Sequence, residues 1–361
     1  MKTTPAVSVI MSVYNGAAYL KEAIESVLNQ SFTDWELIVI NDCSTDGTDA
    51  ILEAYAKRDS RIKVHRNETN LRLPSSLNRA AALAKGRFVA RMDADDICLP
   101  NRLERQVDFM EKHPDVVLSA CRYMTLCEGR VASGGGGGKT DTESIGALLL
   151  VTNPILHPGV MVRTAVLQQY LYNTALTCTE DLDLWTRLAA HHNNMEIQNE
   201  YLMLYRVHPA QITGTTIKRQ YDEVMEIEKR YVPSLFEGMT EEERYFYIHG
   251  IYFKEAMDIK QFRALYGRVK QWNRTARFFQ PQALDYAFFE ILAEYKRCGL
   301  TKFGLLQGML CFPPVFLIKE LIARKKRATA DGQACIAAAR RIGLREQGQN
   351  VLFPQFCKDK R

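Results

Sequence analysis

Residues 88–96 read Phe-Val-Ala-Arg-Met-Asp-Ala-Asp-Asp, a mostly apolar run that ends directly in three carboxylates. Such a short apolar run is typical of a strand buried in a sheet. Two earlier segments show the same arrangement: residues 7–13 are followed by Tyr14-Asn15, and residues 37–40 are followed by Asn41-Asp42. The three segments therefore predict strands that carry polar side chains at their carboxyl ends.

Helical patterns separate these strands. Apolar residues at positions 20, 24, 27 and 28 follow the spacing of an amphipathic helix. Further helices are predicted over 49–57 and 74–85, the second ending at Gly86 as its C-cap, and residues 62–65 predict one more strand. This alternation indicates a doubly wound α/β sheet, in which ligands bind beyond the carboxyl ends of parallel strands. We therefore expect the polar strand ends to face one crevice.

The composition and the later sequence suggest two regions. Of the 361 residues, 47% are hydrophobic and 25% are charged, as in folded proteins. We expect residues 1–215 to form the α/β domain and residues 216–361 to form a helical C-terminal extension. Residues 133–139 contain five consecutive glycines and predict a loop, either a mobile segment over the site or a tolerated surface insertion.

The cysteines and the chain start favour a cytoplasmic protein. The nine cysteines are scattered without a CxxC pair, which argues against a zinc site and suits a reducing compartment. Residues 1–5 lack the apolar core of a signal peptide, and no run reaches the roughly 18 apolar residues of a membrane-spanning helix.

The C-terminal region contains a largely apolar stretch, residues 303–318, followed by Lys319 and the basic cluster Arg324-Lys325-Lys326-Arg327. This stretch either makes peripheral contact with the inner face of the cell membrane or forms a buried helical hairpin. Because the basic cluster is short and isolated, no nucleic-acid partner is expected.

The first strand-to-helix turn, residues 13–18, matches neither GxGxxG nor GxxxxGK[ST], which argues against a dinucleotide enzyme or a P-loop NTPase. A divalent cation is the other way to hold a diphosphate, and Mg²⁺ and Mn²⁺ prefer oxygen ligands. The three carboxylates within residues 93–96 repel one another, and a cation would relieve that repulsion. The alternative is an acidic turn that caps the helix following Pro100.

Taken together, these motifs resemble family 2 of the inverting glycosyltransferases, of the bacterial surface-polysaccharide type, which have the GT-A fold. The resemblance extends from Val7 to about Ile212. It rests on residues 8–15, 39–42, 44–48, 90–96, 99–103, 153–158, 180–185 and 205–208.

The resemblance implies a role for each matching residue. Asp42 would accept a hydrogen bond from the nucleotide base, and Asp181 would be the catalytic base. A nucleotide-sugar pocket would be lined by Val13, Tyr14, Asn15, Asp42, Arg72, Asp93, Ala94 and Asp95. Asp95 and His208 would bind Mn²⁺ or Mg²⁺. The remaining three residues, His157, Glu180 and Arg206, would contact the acceptor or the phosphates, or serve only the structure.

Two positions depart from the family pattern. Arg72 and Ala80 stand where relatives commonly carry glycine. Arg72 either adds a cation near the phosphates or changes the loop conformation. The identity of the donor sugar is therefore left open.

The expected activity is metal-dependent, inverting transfer of a hexose-type sugar from a nucleotide diphosphate, preferably UDP, to a hydroxyl of a glycan or lipid-linked acceptor in cell-surface polysaccharide synthesis. A sugar-nucleotide pyrophosphorylase would need a glycine-rich basic loop after the first strand, which this sequence lacks. A catalytically inactive glycan- or nucleotide-binding scaffold would be favoured by loss of Asp95 or Asp181, but both are present.

Overall fold

A computed structural model describes residues 4–127, 130–132, 138–208, 217–255, 258–295 and 302–326. Most of the expected glycine loop, at 133–137, much of the expected boundary, at 212–216, and the end of the helical extension, from Arg327 onward, lie outside the described residues. The described chain forms two compact units. The first holds the residues up to 132 together with 155–208, and the second holds 138–154 together with 217–326.

The first unit is built on one mixed sheet. Its strands are β1 (Val7–Val13), β2 (Trp35–Asn41), β3 (Ile62–Arg66), β4 (Phe88–Arg91), β5 (Ile97–Cys98), β6 (Val116–Cys127), β7 (Arg130–Ala132), β8 (Met161–Arg163) and β9 (Asn194–Val207). The order is β3-β2-β1-β4-β8-β6-β9-β5, with β7 paired to β6. Strands β1 to β4 pair in parallel, whereas β8 is antiparallel to both β4 and β6.

Helices cover the sheet and fill the second unit. They are α1 (Leu20–Leu28), α2 (Thr48–Arg58), α3 (Arg72–Leu83), α4 (Arg102–Lys112), α5 (Thr142–Leu149), α6 (Thr164–Tyr170), α7 (Glu180–Ala190), α8 (Ile217–Tyr231), α9 (Pro233–Glu237), α10 (Glu241–Phe246), α11 (Ile259–Ala276), α12 (Pro281–Tyr295), α13 (Lys302–Met309) and α14 (residues 314–326). A 3₁₀ turn spans His157–Gly159, and a π-helical segment spans Tyr247–Tyr252.

The core of the first unit follows the predicted apolar pattern. Every residue of β2 is buried, and α1 buries the predicted positions Leu20, Ile24 and Val27. The predicted sequence of alternating strands and helices up to β4 is confirmed, and the parallel arrangement holds for that half of the sheet. Because the polar residues follow the carboxyl ends of β1, β2 and β4, the topology places them along one edge.

The prediction that Pro74 opens α3 and that Gly86 caps it was wrong. The helix begins at Arg72, so Pro74 occupies the first turn, where its missing N–H is not needed. It ends at Leu83, and Ala84 is already extended. Gly86 instead permits a close approach to β1, since a Cβ there would lie 2.5 Å from the backbone nitrogen of Ser8.

The second unit is helical, as expected for the C-terminal region. Helix α5, from before β8 in sequence, belongs to this unit. The hydroxyl of Tyr231 donates to the carbonyl of Gly146 over 2.9 Å, which joins α8 to α5. Among the described residues, none of the helices combines the length and the apolar character that crossing a membrane requires.

Candidate active site

The loops that follow β1 and β2 are tied to each other through Asn15. Its backbone N–H donates to Oγ of Ser44 over 2.9 Å, and its Oδ1 accepts from the backbone N–H of Thr45 over 2.8 Å. Asn15 has a φ of 52°, in the left-handed region that asparagine tolerates better than most residues. The preceding residues differ in exposure: Val13 is buried, and 52% of Tyr14 is exposed.

Asp42 is held rigidly at the carboxyl end of β2. Its side chain is buried, and Oδ1 accepts hydrogen bonds from Nδ2 of Asn67 over 2.6 Å and from the backbone N–H of Leu71 over 2.8 Å. Asn67 also donates to Oγ of Ser76 over 2.8 Å, which fixes the amide. Hydrogen bonds from fixed donors orient a carboxylate for recognition of a ligand.

Arg72 occupies a backbone conformation that favours glycine. Its φ is 68°, and its side chain is exposed. The conformation is stabilised by Oδ1 of Asn70, which accepts from the Arg72 backbone N–H over 3.0 Å. The departure from glycine at this position therefore carries a conformational cost, and it places an exposed guanidinium group at the first residue of α3.

Three carboxylates meet just beyond β4. One oxygen from each of Asp93, Asp95 and Asp96 lies within 4.8 Å of the others. Asp93 also forms an ion pair with the buried guanidinium group of Arg91, whose Nη1 lies 2.5 Å from Oδ2 of Asp93. Asp96 is fully buried and accepts from the backbone N–H of Arg206 over 2.8 Å.

The electrostatics of this cluster favour a cation. Burial, and then the negative charges of Asp95 and Asp181, raise the pKa of Asp93 against the opposing charge of Arg91. Burial and the charges of Asp93 and Asp95 raise the pKa of Asp96 well above its ordinary value. Within the described part of the chain, Oδ2 of Asp96 is buried without a hydrogen-bond partner. An oxygen-rich cluster that resists ionisation fits Mg²⁺ or Mn²⁺, which would stabilise the charged form.

The end of β9 packs on residues 93–96, the acidic loop between β4 and β5. Nε2 of His208 lies 2.9 Å from Oδ2 of Asp95, and Nε of Arg206 donates to the Asp95 carbonyl over 2.7 Å. Nη2 of Arg206 also forms an ion pair with Glu22 of α1. The ring of Tyr19 lies 4.8 Å from the His208 ring and 4.6 Å from the Arg206 guanidinium carbon. Through these contacts Arg206 holds the acidic loop against the end of β9 and against α1.

The first turn of α7 brings a second acidic group to the site. Glu180 is buried, and burial together with the charge of Asp181 raises its pKa to about 7. Asp181 is partly exposed, and its negative charge makes one of the smaller contributions that raise the pKa of Asp93. The structure thus places Asp181 close to the cluster beyond β4.

His157 lies next to this turn. Its Nε2 is 2.9 Å from the hydroxyl of Tyr172, and its Nδ1 is 3.6 Å from Oε1 of Glu180. Burial and the positive charge of Arg91 lower the pKa of His157 well below its ordinary value. A neutral imidazole therefore lies between Tyr172 and Glu180, the residue that precedes the partly exposed Asp181.

Sequence reasoning missed several residues that build this site. Arg91 was visible as a charged residue inside an apolar strand, which signals a buried partner. Asn67 directly follows β3, so the strand-end argument that found Asp42 applies to it as well. Tyr19 and Tyr172 lie outside any strand-end pattern, and no signal in the sequence distinguishes them.

Comparisons of sequence identify relatives. Residues 8–156 match the profile of glycosyl transferase family 2. An uncharacterised glycosyltransferase of Methanocaldococcus jannaschii is 33% identical over 219 residues, which cover 60% of this chain and 76% of that protein. TuaG of Bacillus subtilis, named as a putative teichuronic acid biosynthesis glycosyltransferase, is 45% identical over 106 residues, which cover 29% of this chain and 42% of that protein.

Two solved structures share the fold. The crystal structure of S. aureus TarS 1–349 in complex with UDP-GlcNAc aligns with a TM-score of 0.54 at 19% identity, covering 84% of this chain and 90% of that one. The mannosyltransferase PcManGT from Pyrobaculum calidifontis, in complex with GDP-Man and Mn²⁺, aligns with a TM-score of 0.50 at 17% identity, covering 96% and 89%. These likenesses support a GT-A fold. Given the profile match and the relative in Methanocaldococcus, the chain belongs to glycosyl transferase family 2.

Proposed function

We propose that the chain is an inverting, metal-dependent glycosyltransferase that moves a sugar from a UDP-sugar to a hydroxyl group of a glycan or lipid-linked acceptor. One observation carries the proposal. The carboxylates of Asp93, Asp95 and Asp96 meet within 4.8 Å beyond β4, and the charge of Asp181 acts on Asp93. The three clustered carboxylates can hold a cation, while the carboxylate of Asp181 accepts a proton.

The donor would lie along the strand ends. Asp42 accepts a hydrogen bond from the base, with Val13, Tyr14 and Asn15 around the nucleoside, and Asp93 and Ala94 lie near the ribose. The rigid, buried carboxylate of Asp42 supports this role, because its donors Asn67 and Leu71 hold it in one orientation. The complex of TarS with UDP-GlcNAc supports a UDP donor, and the complex of PcManGT with GDP-Man makes GDP-sugars the comparison to test.

Asp95 and His208 would hold Mn²⁺ or Mg²⁺. The atoms concerned, Oδ2 of Asp95 and Nε2 of His208, lie 2.9 Å apart, so small side-chain rotations would present both to one cation. When bound, the cation supplies Lewis-acid stabilisation of the departing diphosphate. Mn²⁺ in the PcManGT complex supports this cofactor.

Asp181 would act as the general base. Its carboxylate takes the proton from an acceptor hydroxyl while that oxygen attacks the anomeric carbon. The attack comes from the face opposite the diphosphate, whose oxygen leaves with the bonding electrons, so the configuration at that carbon inverts. His157 and Glu180 stabilise the helical turn that contains Asp181. Arg206 holds the acidic loop against the end of β9.

The acceptor class and the cellular compartment are inferred from a relative and from the cysteines. The name of TuaG favours synthesis of a cell-surface polysaccharide. None of the cysteines in the described part of the chain forms a disulfide, which suits the cytoplasm, where we place the reaction at the inner face of the cell membrane.

A thermal-shift panel tests the proposal. We expect UDP-sugars to raise the Tm in the presence of Mn²⁺ or Mg²⁺ and to have little effect in EDTA, with GDP- and dTDP-sugars as comparisons. Failure of every nucleotide sugar to stabilise the protein would contradict the proposal. Release of UDP during incubation with donor then separates an enzyme from an inactive nucleotide-binding scaffold, because the scaffold would be stabilised without turning the donor over.

A further inference from the structure

Exposed apolar side chains are concentrated near the end of the second unit. Of the thirteen large apolar side chains that are exposed in the described residues, six lie within residues 306–322. They are Leu306, Leu310, Val315, Ile318, Leu321 and Ile322. Single exposed apolar residues are normal on a protein surface, but such a concentration marks a surface that contacts a partner.

The inner side of α14 is fixed by contacts within its own unit. Phe316, Glu320 and Arg324 recur at intervals of four residues and so lie on one side of the helix. Glu320 is buried, and its Oε1 lies 3.1 Å from Nζ of Lys139. Nη2 of Arg324 lies 3.1 Å from Oε2 of Glu290. These ion pairs define which side of α14 faces outward.

The outward side of α14 combines apolar and basic residues. Val315, Ile318 and Ile322 follow the i, i+3, i+7 spacing of a single helical face and are 66%, 60% and 53% exposed. The lysines Lys319, Lys325 and Lys326 are exposed as well. A helix with an apolar stripe and exposed lysines has the chemistry of a surface-seeking amphipathic helix.

Helix α13 also has one side packed within the unit and one exposed apolar side. Gly308 faces α12, because a Cβ at that position would lie 2.6 Å from a methyl carbon of Leu292. Leu306 and Leu310, which share a face by their i, i+4 spacing, are 56% and 72% exposed. The close contact at Gly308 leaves these two leucines on the outward side.

We propose that the outward sides of α13 and α14, the docking face, bind the surface of a membrane that contains anionic lipid. The apolar side chains enter the boundary between headgroups and acyl chains, and the lysines lie among the anionic headgroups. Charge complementarity selects this partner over a second copy of the chain. A two-fold contact would bring the three lysines of both copies into one interface, where their like charges repel. This docking is independent of which sugar the site transfers.

Vesicle sedimentation tests the docking face in the absence of any nucleotide sugar. The full chain is mixed with vesicles of phosphatidylcholine alone or with about one third phosphatidylglycerol. We expect binding to the anionic vesicles that falls as NaCl is raised, and at least tenfold weaker binding to the neutral ones. Ile318→Glu combined with Ile322→Glu should reduce binding to anionic vesicles at least tenfold, and Lys319→Gln with Lys325→Gln and Lys326→Gln should remove the salt dependence.

Two controls keep the test decisive. Tyr245→Glu changes an exposed aromatic residue on α10 in the same unit and should leave binding unchanged. The Tm and donor binding of each variant, measured without vesicles, should match those of the wild type, because the changed side chains are exposed and none of them lies at the proposed active site. Failure of the wild type to bind anionic vesicles would overturn the docking face, as would unchanged binding by the double glutamate variant. Self-association abolished by that variant would instead assign the surface to a second copy.

Discussion

Nε2 of His208 and Oδ2 of Asp95 lie 2.9 Å apart, although 113 positions separate the two residues in sequence. The contact joins the end of β9 to the acidic loop beyond β4. The two groups contact each other directly, and small side-chain rotations would let both hold one cation. Both side chains are therefore available to the same ion.

Asp95→Ala should abolish metal-dependent binding of UDP, because it removes a carboxylate ligand and the partner of His208. His208→Ala should weaken the apparent affinity for Mn²⁺ about tenfold or more. Calorimetric titration of UDP at fixed Mn²⁺, and of Mn²⁺ at fixed UDP, measures both effects. Asp108→Ala, which changes an exposed acid on α4, is the matched control. Normal binding by Asp95→Ala would disprove the ligand assignment.

Asp181→Asn should leave donor binding intact and reduce kcat by roughly 10²–10⁴-fold, the usual effect of losing a general base. The amide has nearly the same shape but cannot accept the proton. Transfer rates and the Kd for UDP, measured on the same preparation, separate catalysis from binding. Glu53→Gln, an exposed change on α2, should behave like the wild type. A normal kcat for Asp181→Asn would move the base to another residue.

Arg72→Gly and Arg72→Ala separate the conformation of the loop from its charge. Both variants lose the guanidinium group, but only glycine relieves the left-handed φ of 68°. We expect the glycine variant to be about 1 kcal/mol more stable than the alanine variant, or about 2–4 °C higher in Tm. If the guanidinium group contacts the phosphates, both variants will raise the KM for the donor equally. A raised KM in the alanine variant alone would show that the backbone, and not the charge, matters for the donor.

Glu180 should make the protein less stable as the pH rises. An ordinary glutamate titrates near 4.5, whereas burial raises the pKa of Glu180 to about 7. The folded protein thus binds the proton more tightly than the unfolded chain between these values. The associated stability is fully present below pH 4.5, falls as the pH rises towards 7, and amounts to at most about 3 kcal/mol.

Glu180→Gln keeps a neutral side chain and should lose this pH dependence. Denaturant unfolding in EDTA at about pH 5 and about pH 8 compares the variant with the wild type. At the higher pH, the unfolding free energy of the variant should rise relative to that of the wild type. An equal difference at both pH values would show that Glu180 does not titrate in this range.

The parallel half of the sheet could be predicted because its information is local. Each of β1, β2 and β4 is a short apolar run followed by polar residues, and that pattern depends only on neighbouring positions. The placement of β8 between β4 and β6, and the association of α5 with the C-terminal helices, could not be predicted. Both depend on contacts between segments that are distant in sequence. The local spacing of apolar residues carries no information about such contacts.

The site likewise contains some residues that could be predicted from the sequence and others that could not. Asp42 and the acids at 93–96 were found because they end strands, and Asp181 because its motif is recognisable in sequence. The ion pair of Arg91 with Asp93 and the contact of His157 with Tyr172 exist only after folding brings buried groups together. Their roles follow from desolvation, which a sequence does not display.

The three carboxylates beyond β4 are held from different directions: Asp93 by Arg91, Asp95 by His208, and Asp96 by the backbone N–H of Arg206. No single partner carries the arrangement. These contacts within the protein hold the loop in place, so binding of a cation and a diphosphate there would lose little free energy to ordering the loop.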